Sequence, residues 1–211
     1  LYRALLIYII FILVWAVPAH AGNITLFTDR ASIDINMTFN GCELQVNGQA
    51  PRGSDIFIKF TSPKNAVNLS KMGKKAILWA PVENISIEDI PGMFHVLTSA
   101  PINGLGDELQ AAMGIDKDYT HVLSTAVVFR LNNGRGKLTG DEASKYLGEL
   151  VGLLEDRGLF SINEGGITRE GNSYRATFTV PPNIPNGLST IEAFAVKDGE
   201  IVAGTGETIA A

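Results

Sequence analysis

The sequence contains few of the residues that build catalytic and metal-binding sites. It has one cysteine and three histidines in 211 residues. A single thiol, Cys42, excludes an intrachain disulfide, so the stability of the chain must come from core packing, and we interpret Cys42 as a buried structural thiol. His20 lies in an apolar N-terminal segment, which leaves His95 and His121 for a functional site. Neither has a second ligand at a spacing typical of a metal site.

Common catalytic motifs are missing as well. No GxSxG, HExxH or CxxC pattern occurs in the sequence. The segment Gly134-Arg135-Gly136-Lys137 resembles a phosphate loop only superficially, because it lacks the Walker spacing and the following Ser or Thr. We therefore predict a protein that is not an enzyme, with no catalytic, cofactor-binding or metal-binding residues and no cofactor.

Basic residues are in the minority. Lysine and arginine together number 17 against 22 aspartates and glutamates, which gives a formal net charge of −5. A nucleic-acid-binding surface needs clustered lysine and arginine to neutralise phosphates. This balance argues against a nucleic-acid partner.

Charge is almost absent from the N-terminus, where Arg3 is the only charged residue before Asp29. Residues 4–17 are almost wholly apolar, and Ala19-His20-Ala21 matches a small-x-small cleavage site. This order is typical of a secretory signal peptide, here residues 1–21, and it predicts export. The alternative is an uncleaved membrane anchor, although the run is shorter than the roughly 20 residues of a spanning helix.

Residues 22–100 show the alternation of apolar and polar side chains that is typical of half-buried strands. Ile33, Ile35, Met37 and Phe39 form the first predicted strand, and turn residues separate six or seven such segments, one turn lying at residues 72–75. Short strands at regular spacing predict an immunoglobulin-like antiparallel β-sandwich.

In residues 101–160 the spacing of the apolar residues changes to that of a helix. A short helix is expected over residues 107–113, ended by Gly114, and a second over residues 119–127. The clearest amphipathic pattern is residues 139–160, which we predict to form an α-hairpin with the second helix. Thr139 and Glu142 have the spacing of a capping box, and Gly158 is placed to take the left-handed conformation at the helix end.

Alternation returns in residues 161–211, where Asp198-Gly199 is a strong hairpin signal. We predict that this region forms its own small second β-sheet, covered by the helices. Phe178 would then contact Leu147, Leu150 or Leu154. The predicted fold class is mainly β with an α-helical insertion (α+β).

Several segments, in this order and spacing, resemble the putative transmembrane protein family first described from alphaproteobacteria. The segments are Ile33-Asp34-Ile35-Asn36, Phe39-Asn40-Gly41-Cys42-Glu43-Leu44, the strand around Trp79, Pro91-Gly92-Met93-Phe94, Gly158-Leu159-Phe160, Val180-Pro181-Pro182-Asn183-Ile184-Pro185-Asn186-Gly187 and Asp198-Gly199. The resemblance implies a signal peptide, an extracytoplasmic region and one C-terminal membrane helix, expected beyond residue 211. It implies no activity and no catalytic residues.

Three hypotheses about function follow. The first is a non-catalytic, membrane-associated protein on the periplasmic face of the bacterial inner membrane, which binds a membrane or periplasmic protein or serves as an accessory module. Membrane attachment would be through the C-terminal helix or an uncleaved N-terminal segment. The second is a periplasmic small-anion binder, or an accessory to a sulfite-exporter-type transporter, using amides at the helix starts near Asp116 and Thr139. The third, an enzyme, would have to use His95 or His121.

Overall fold

The computed structural model describes residues 22–75, 78–132 and 134–211, and the predicted signal peptide, residues 1–21, lies outside this range. The described chain is mostly β, with a few short helices. Its strands are β1 (Thr25–Thr28), β2 (Cys42–Gln49), β3 (Asp55–Thr61), β4 (Lys64–Lys75), β5 (Leu78–Pro91), β6 (Phe94–Thr98), β7 (Val127–Arg130), β8 (Gly136–Leu138), β9 (Phe160–Glu164), β10 (Ile167–Glu170), β11 (Ser173–Val180), β12 (Leu188–Lys197) and β13 (Glu200–Ala210). Its helices are α1 (Asp107–Met113), α2 (Thr120–Leu123) and α3 (Gly140–Asp156).

Two sheets pack face to face as a sandwich. Sheet A has the strand order β1-β2-β11-β10, and sheet B has the order β13-β12-β3-β6-β9. Strand β11 alternates strictly between exposed and buried residues, because one face of sheet A is exposed to solvent and the other faces the core. In that core Phe178 of β11 meets Phe60 of β3 edge to face, with ring centroids 5.5 Å apart.

The prediction of a separate sheet in residues 161–211 is wrong. Strand β11 pairs with β2 along its whole length, β12 pairs with β3, and β9 joins β6 in parallel. The C-terminal strands therefore complete the sheets that the N-terminal strands begin. Phe178 packs on Phe60 rather than on helix α3, because the apolar face of β11 is covered by the opposite sheet.

A third sheet, sheet C, has the order β4-β5-β7-β8 and extends from sheet B. The β3–β6 ladder continues into the β4–β5 hairpin without a break in hydrogen bonding. The amide of Ser62 donates to the carbonyl of Met93 at 3.0 Å, and the amide of Gly92 donates to the carbonyl of Pro63 at 3.2 Å. The β4–β5 hairpin is thus a long extension of the hairpin that joins two central strands of the sandwich.

The predicted α-hairpin is wrong in its first half. Only Thr120–Leu123 is helical, and Val127–Arg130 forms strand β7. Valine and phenylalanine favour strands, and Val128 is buried opposite Ile87 of β5, so pairing with sheet C outweighs the helical spacing. A β7–β8 hairpin therefore precedes helix α3.

The first predicted strand, residues 33–39, is also absent. The side-chain oxygen Oδ1 of Asn36 accepts hydrogen bonds from the amide of Thr38 at 2.9 Å and from its hydroxyl at 2.7 Å. This local Asx turn competes with strand pairing. Met37 is consequently fully exposed, whereas Ile33 remains buried.

Helix α3 forms as its apolar stripe predicts. It buries Tyr146, Leu150 and Leu154 and contacts strands β7 and β9. The left-handed conformation predicted for Gly158 is confirmed by its φ of 67°, and Gly114 ends helix α1 in the same conformation. The prediction of a capping box at Thr139 and Glu142 is wrong.

At the start of helix α3, Thr139 is the N-cap residue but makes no side-chain cap hydrogen bond, and Glu142 pairs with Arg130 instead. The salt bridge to sheet C takes the carboxylate away from the helix end.

Candidate functional site

The two histidines considered for catalysis lie apart in the fold and have different partners. His95, on β6, is buried, and its Nε2 lies 2.9 Å from the carbonyl oxygen of Gly158. Burial lowers the pKa of His95 although the hydrogen bond to Gly158 opposes this shift. His121 Nδ1 lies 2.8 Å from a carboxylate oxygen of Asp116. In the part of the chain that the structure describes, neither ring hydrogen-bonds a hydroxyl or thiol group.

We expect the free energy of unfolding to decrease as the pH falls below about 6.5, in part because of His95. The folded chain keeps this imidazole neutral by burial, whereas the unfolded chain binds a proton below the ordinary pKa of histidine. Because the unfolded state then binds more protons, acid favours unfolding, and this contribution is absent above the ordinary pKa. Urea unfolding over a series of pH values should show a slope that His95→Gln reduces. His121→Gln serves as the control, and an unchanged slope in His95→Gln would contradict the assignment.

At the helix start near Asp116, three backbone amides already donate to the side chain of Asp116. The buried carboxylate of Asp116 accepts hydrogen bonds from the amides of Asp118, Thr120 and His121 at 3.1, 2.7 and 2.9 Å. Burial alone would raise the pKa of Asp116, but the hydrogen bonds from His121 and Thr120 outweigh it, and the pKa is lowered. The carboxylate occupies the position that a bound anion would take.

The second proposed anion site, at the start of helix α3, is electrostatically unfavourable. Asp141 and Glu142 lie in the first turn after Thr139, where they interact favourably with the helix dipole and repel a further negative charge. Neither predicted helix start therefore has the chemistry that the small-anion hypothesis requires.

Cys42 is half-buried at the start of β2 rather than buried as predicted. Burial is the main cause that raises the pKa of its thiol, which disfavours the reactive thiolate. Among residues 22–75, 78–132 and 134–211, no group of three or more His, Cys, Asp or Glu side chains could hold a metal ion. Residues of the superficial phosphate-loop segment serve sheet C instead, since Arg135 pairs with Glu88 at 2.6 Å.

The outer face of sheet A has a shallow depression of about 560 Å³. A row of paired residues crosses it from strand to strand, namely Phe27, Asn47, Arg175 and Thr168. Phe27 is 64% exposed, while the other three side chains are polar. The depression is open and mixed in character, and the hydroxyl of the buried Tyr174 in its lining already donates to the carbonyl oxygen of Thr25 at 2.7 Å.

The β4–β5 hairpin has an unusually exposed surface. Strand β4 is 12 residues long, forms one edge of sheet C and has no buried side chain among those described. The sequence indicated a turn at residues 72–75, but β4 continues through them to Lys75 and pairs with Leu78. Strand β7 pairs with residues 85–88 of β5, so among the described strands none lies beside the far part of the hairpin.

A polar network joins this hairpin, at Glu83, to helix α3. Arg130 of β7 donates from Nε to Glu83 of β5 at 2.6 Å and also pairs with Glu142 of α3. The Tyr146 hydroxyl of α3 donates to the other carboxylate oxygen of Glu83, again at 2.6 Å. The hydrogen bond from Tyr146, followed by that from Arg130, lowers the pKa of Glu83. The network therefore connects three elements, β5, β7 and α3.

The chain matches the family described as putative transmembrane protein (Alph_Pro_TM) over residues 23–210 and belongs to that family. The match confirms the resemblance noted from the sequence, and the family description implies association with a membrane. No curated protein and no solved structure matches the chain. None of the described helices is both long and apolar enough to cross a membrane.

Proposed function

We propose that this protein is a non-catalytic, membrane-associated module on the periplasmic face of the inner membrane, where it binds a partner protein through the free edge of strand β4. The observation that supports the proposal is the length and exposure of this edge. An exposed edge strand presents unpaired backbone donors and acceptors, which another chain can use by adding a strand.

The middle of β4 lacks the charged residues and proline that commonly protect an edge strand. Its register with β5 does shift at residues 65–67 and 71–72. Residues 65–70 carry no charge, while the lysines of the strand lie at its two ends, at positions 64, 71, 74 and 75. Ala66, Asn68 and Ser70 are exposed along this stretch. Natural sheet edges are commonly protected by charged residues, proline or bulges. An uncharged stretch on an edge strand therefore favours an extended segment of a partner protein as its occupant.

The proposal includes an immunoglobulin-like fold for the sandwich. In the strand lettering of that fold, sheet A has the order A-B-E-D, and β13-β12-β3-β6 of sheet B correspond to G-F-C-C′. Strand β9 departs from it, because it pairs with β6 in parallel after the helical insertion. The β4–β5 hairpin would then be an enlarged C–C′ connection. Sandwiches of this kind occur in many extracellular binding proteins, which supports a binding role by analogy of fold alone.

Export by a cleaved signal peptide and a membrane helix following residue 211 stay predictions. Strands β3 and β13 both run antiparallel to β12, so they end at the same end of the sandwich, where the β4–β5 hairpin begins. A helix following residue 211 would therefore leave the sandwich on the side of the hairpin.

The partner proposal can be tested by purifying the full-length protein from its native membranes in mild detergent. We expect it to elute as a complex with a different protein. Asn68→Lys together with Ser70→Lys should abolish the complex, because charged edge residues oppose strand addition. Gln45→Lys together with Thr177→Lys places the same charges on the exposed face of sheet A and should preserve it.

Three outcomes would contradict the proposal. They are a wild-type protein that elutes alone as a monomer, a complex that contains only copies of this chain, and a complex that survives the edge substitutions.

A further inference from the structure

The far end of the β4–β5 hairpin has a surface different from the rest of the chain. We define the distal ribbon as residues 71–75 of β4 and 78–82 of β5. Met72, Leu78 and Trp79 in this ribbon are 51%, 75% and 70% exposed. Most other large apolar side chains of the described chain are buried in a single core. Exposing a tryptophan, a leucine and a methionine to water within a few residues is unfavourable for a two-stranded ribbon.

The charge of the distal ribbon is opposite to that of the whole chain. It contains Lys71, Lys74 and Lys75 and no aspartate or glutamate, although the chain has a formal net charge of −5. In the hairpin register Lys74 lies opposite Trp79 and Lys75 opposite Leu78, whereas Lys71 lies opposite Glu83, just outside the ribbon. Both Lys71 and Lys74 are exposed. The ribbon therefore combines apolar side chains and positive charge at one end of a projecting hairpin.

This combination matches the interface of an anionic lipid bilayer. Tryptophan is enriched at the level of the lipid headgroups, because its ring is apolar and its N–H needs a polar partner. Lysine can bury its aliphatic stem while its ammonium group remains among the headgroups, and anionic lipids attract it. A ribbon that docks in a groove of a partner protein would more often carry its apolar side chains on one face. Here Trp79 and Leu78 are adjacent in sequence and so point to opposite faces of the ribbon.

We propose that the distal ribbon inserts into the headgroup region of an anionic membrane surface, with Trp79 and Leu78 at the interface and Lys71 and Lys74 on anionic headgroups. The inference deepens the proposed function and rests on its membrane location, but not on a partner protein at the edge of β4. The polar network at Glu83 and Arg130 would hold the ribbon at a fixed orientation to the sandwich. The hairpin would then set how the partner-binding edge faces the membrane.

Trp79 provides a direct test, because the only other tryptophan, Trp15, lies in the predicted signal peptide. A chain that begins at Gly22 therefore reports the environment of the ribbon through its tryptophan fluorescence. We expect the emission to shift to the blue with vesicles that contain phosphatidylglycerol and to change little with vesicles of phosphatidylcholine alone. Brominated lipids should quench the emission, and added salt should weaken binding because it screens the lysines.

Two sets of variants localise the binding. Lys71→Glu with Lys74→Glu should lower the vesicle partition coefficient by about thirtyfold or more, since each lysine contributes to attraction by anionic lipids. Lys145→Glu with Lys197→Glu produces the same change in net charge at exposed positions elsewhere and should have a much smaller effect. Leu78→Asp should abolish the blue shift, whereas Phe27→Asp, at an exposed position of β1, should preserve it.

The inference is overturned if the folded wild-type chain gives no blue shift with phosphatidylglycerol vesicles, or if the ribbon and control variants bind equally well. Circular dichroism of each variant establishes that it is folded. The co-purification experiment with the β4-edge variants uses neither vesicles nor substitutions in the ribbon. A failure of lipid binding can therefore be distinguished from a failure of the proposed partner binding.

Discussion

Replacing Phe178 with alanine is expected to lower the free energy of unfolding by about 3–5 kcal/mol. The side chain is 1% exposed and lies between sheets A and B, with its ring edge to face with that of Phe60. Removing it takes away buried apolar surface and leaves a cavity that the two paired sheets cannot easily close. Urea unfolding followed by circular dichroism would measure the loss.

Phe27→Ala is the matched control for this prediction. Phe27 also lies on sheet A, but it is 64% exposed on the outer face. The same substitution should therefore change the free energy of unfolding by only about 0.5 kcal/mol or less. Equal losses at the two positions would show that Phe178 does not lie in the core between the sheets.

The sequence predicted local features well because their causes lie within a few residues. The apolar stripe of helix α3, its end at Gly158 and the end of α1 at Gly114 are all confirmed. The β12–β13 hairpin also turns at Asp198-Gly199, where both residues have a positive φ. This is the backbone geometry of the tight hairpin turns that such a dipeptide favours.

The arrangement of the strands could not be predicted in the same way. Alternation along β11 shows that one face is buried but does not identify the surface that covers it. Sheet B and helix α3 could each have covered that face, and the pairing of β11 with β2 places β11 in sheet A, opposite sheet B. Likewise, spacing alone favoured a helix over residues 119–127, whereas the pairing of Val128 with Ile87 makes the end of that segment a strand.

The β4–β5 hairpin, which supports the proposed function, could not be recognised as a site from the sequence either. The hydrogen bonds that fix the hairpin join Glu83 to Arg130, 47 residues later, and to Tyr146, 63 residues later. Tyr146 fitted the apolar stripe of helix α3, and nothing in the stripe identifies a partner for its hydroxyl group. A turn signal at residues 72–75 further concealed the length of β4. In the sequence, the distal ribbon was indicated only by the cluster of lysine and apolar residues around Trp79.

Replacing Leu150 with alanine should cost about 2–5 kcal/mol, which makes it the second large effect expected on stability. Leu150 is fully buried in the centre of helix α3, as the sequence predicted, but the helix packs over β7 and β9 rather than against Phe178. Because α3 also holds Glu142 and Tyr146 in the network with Arg130 and Glu83, loosening the helix should loosen the hairpin as well.

Leu153→Ala is the control for Leu150, since it makes the same change on the same helix at a half-buried position outside the core. Urea unfolding should show a clearly smaller loss for Leu153→Ala. Hydrogen exchange should show faster exchange of the β5 and β7 amides in Leu150→Ala, because local opening becomes easier where the packing of the helix is lost. Similar losses for the two leucines, or unchanged exchange in β5 and β7, would mean that helix α3 does not support sheet C. The orientation of the hairpin would then depend on the sheet alone.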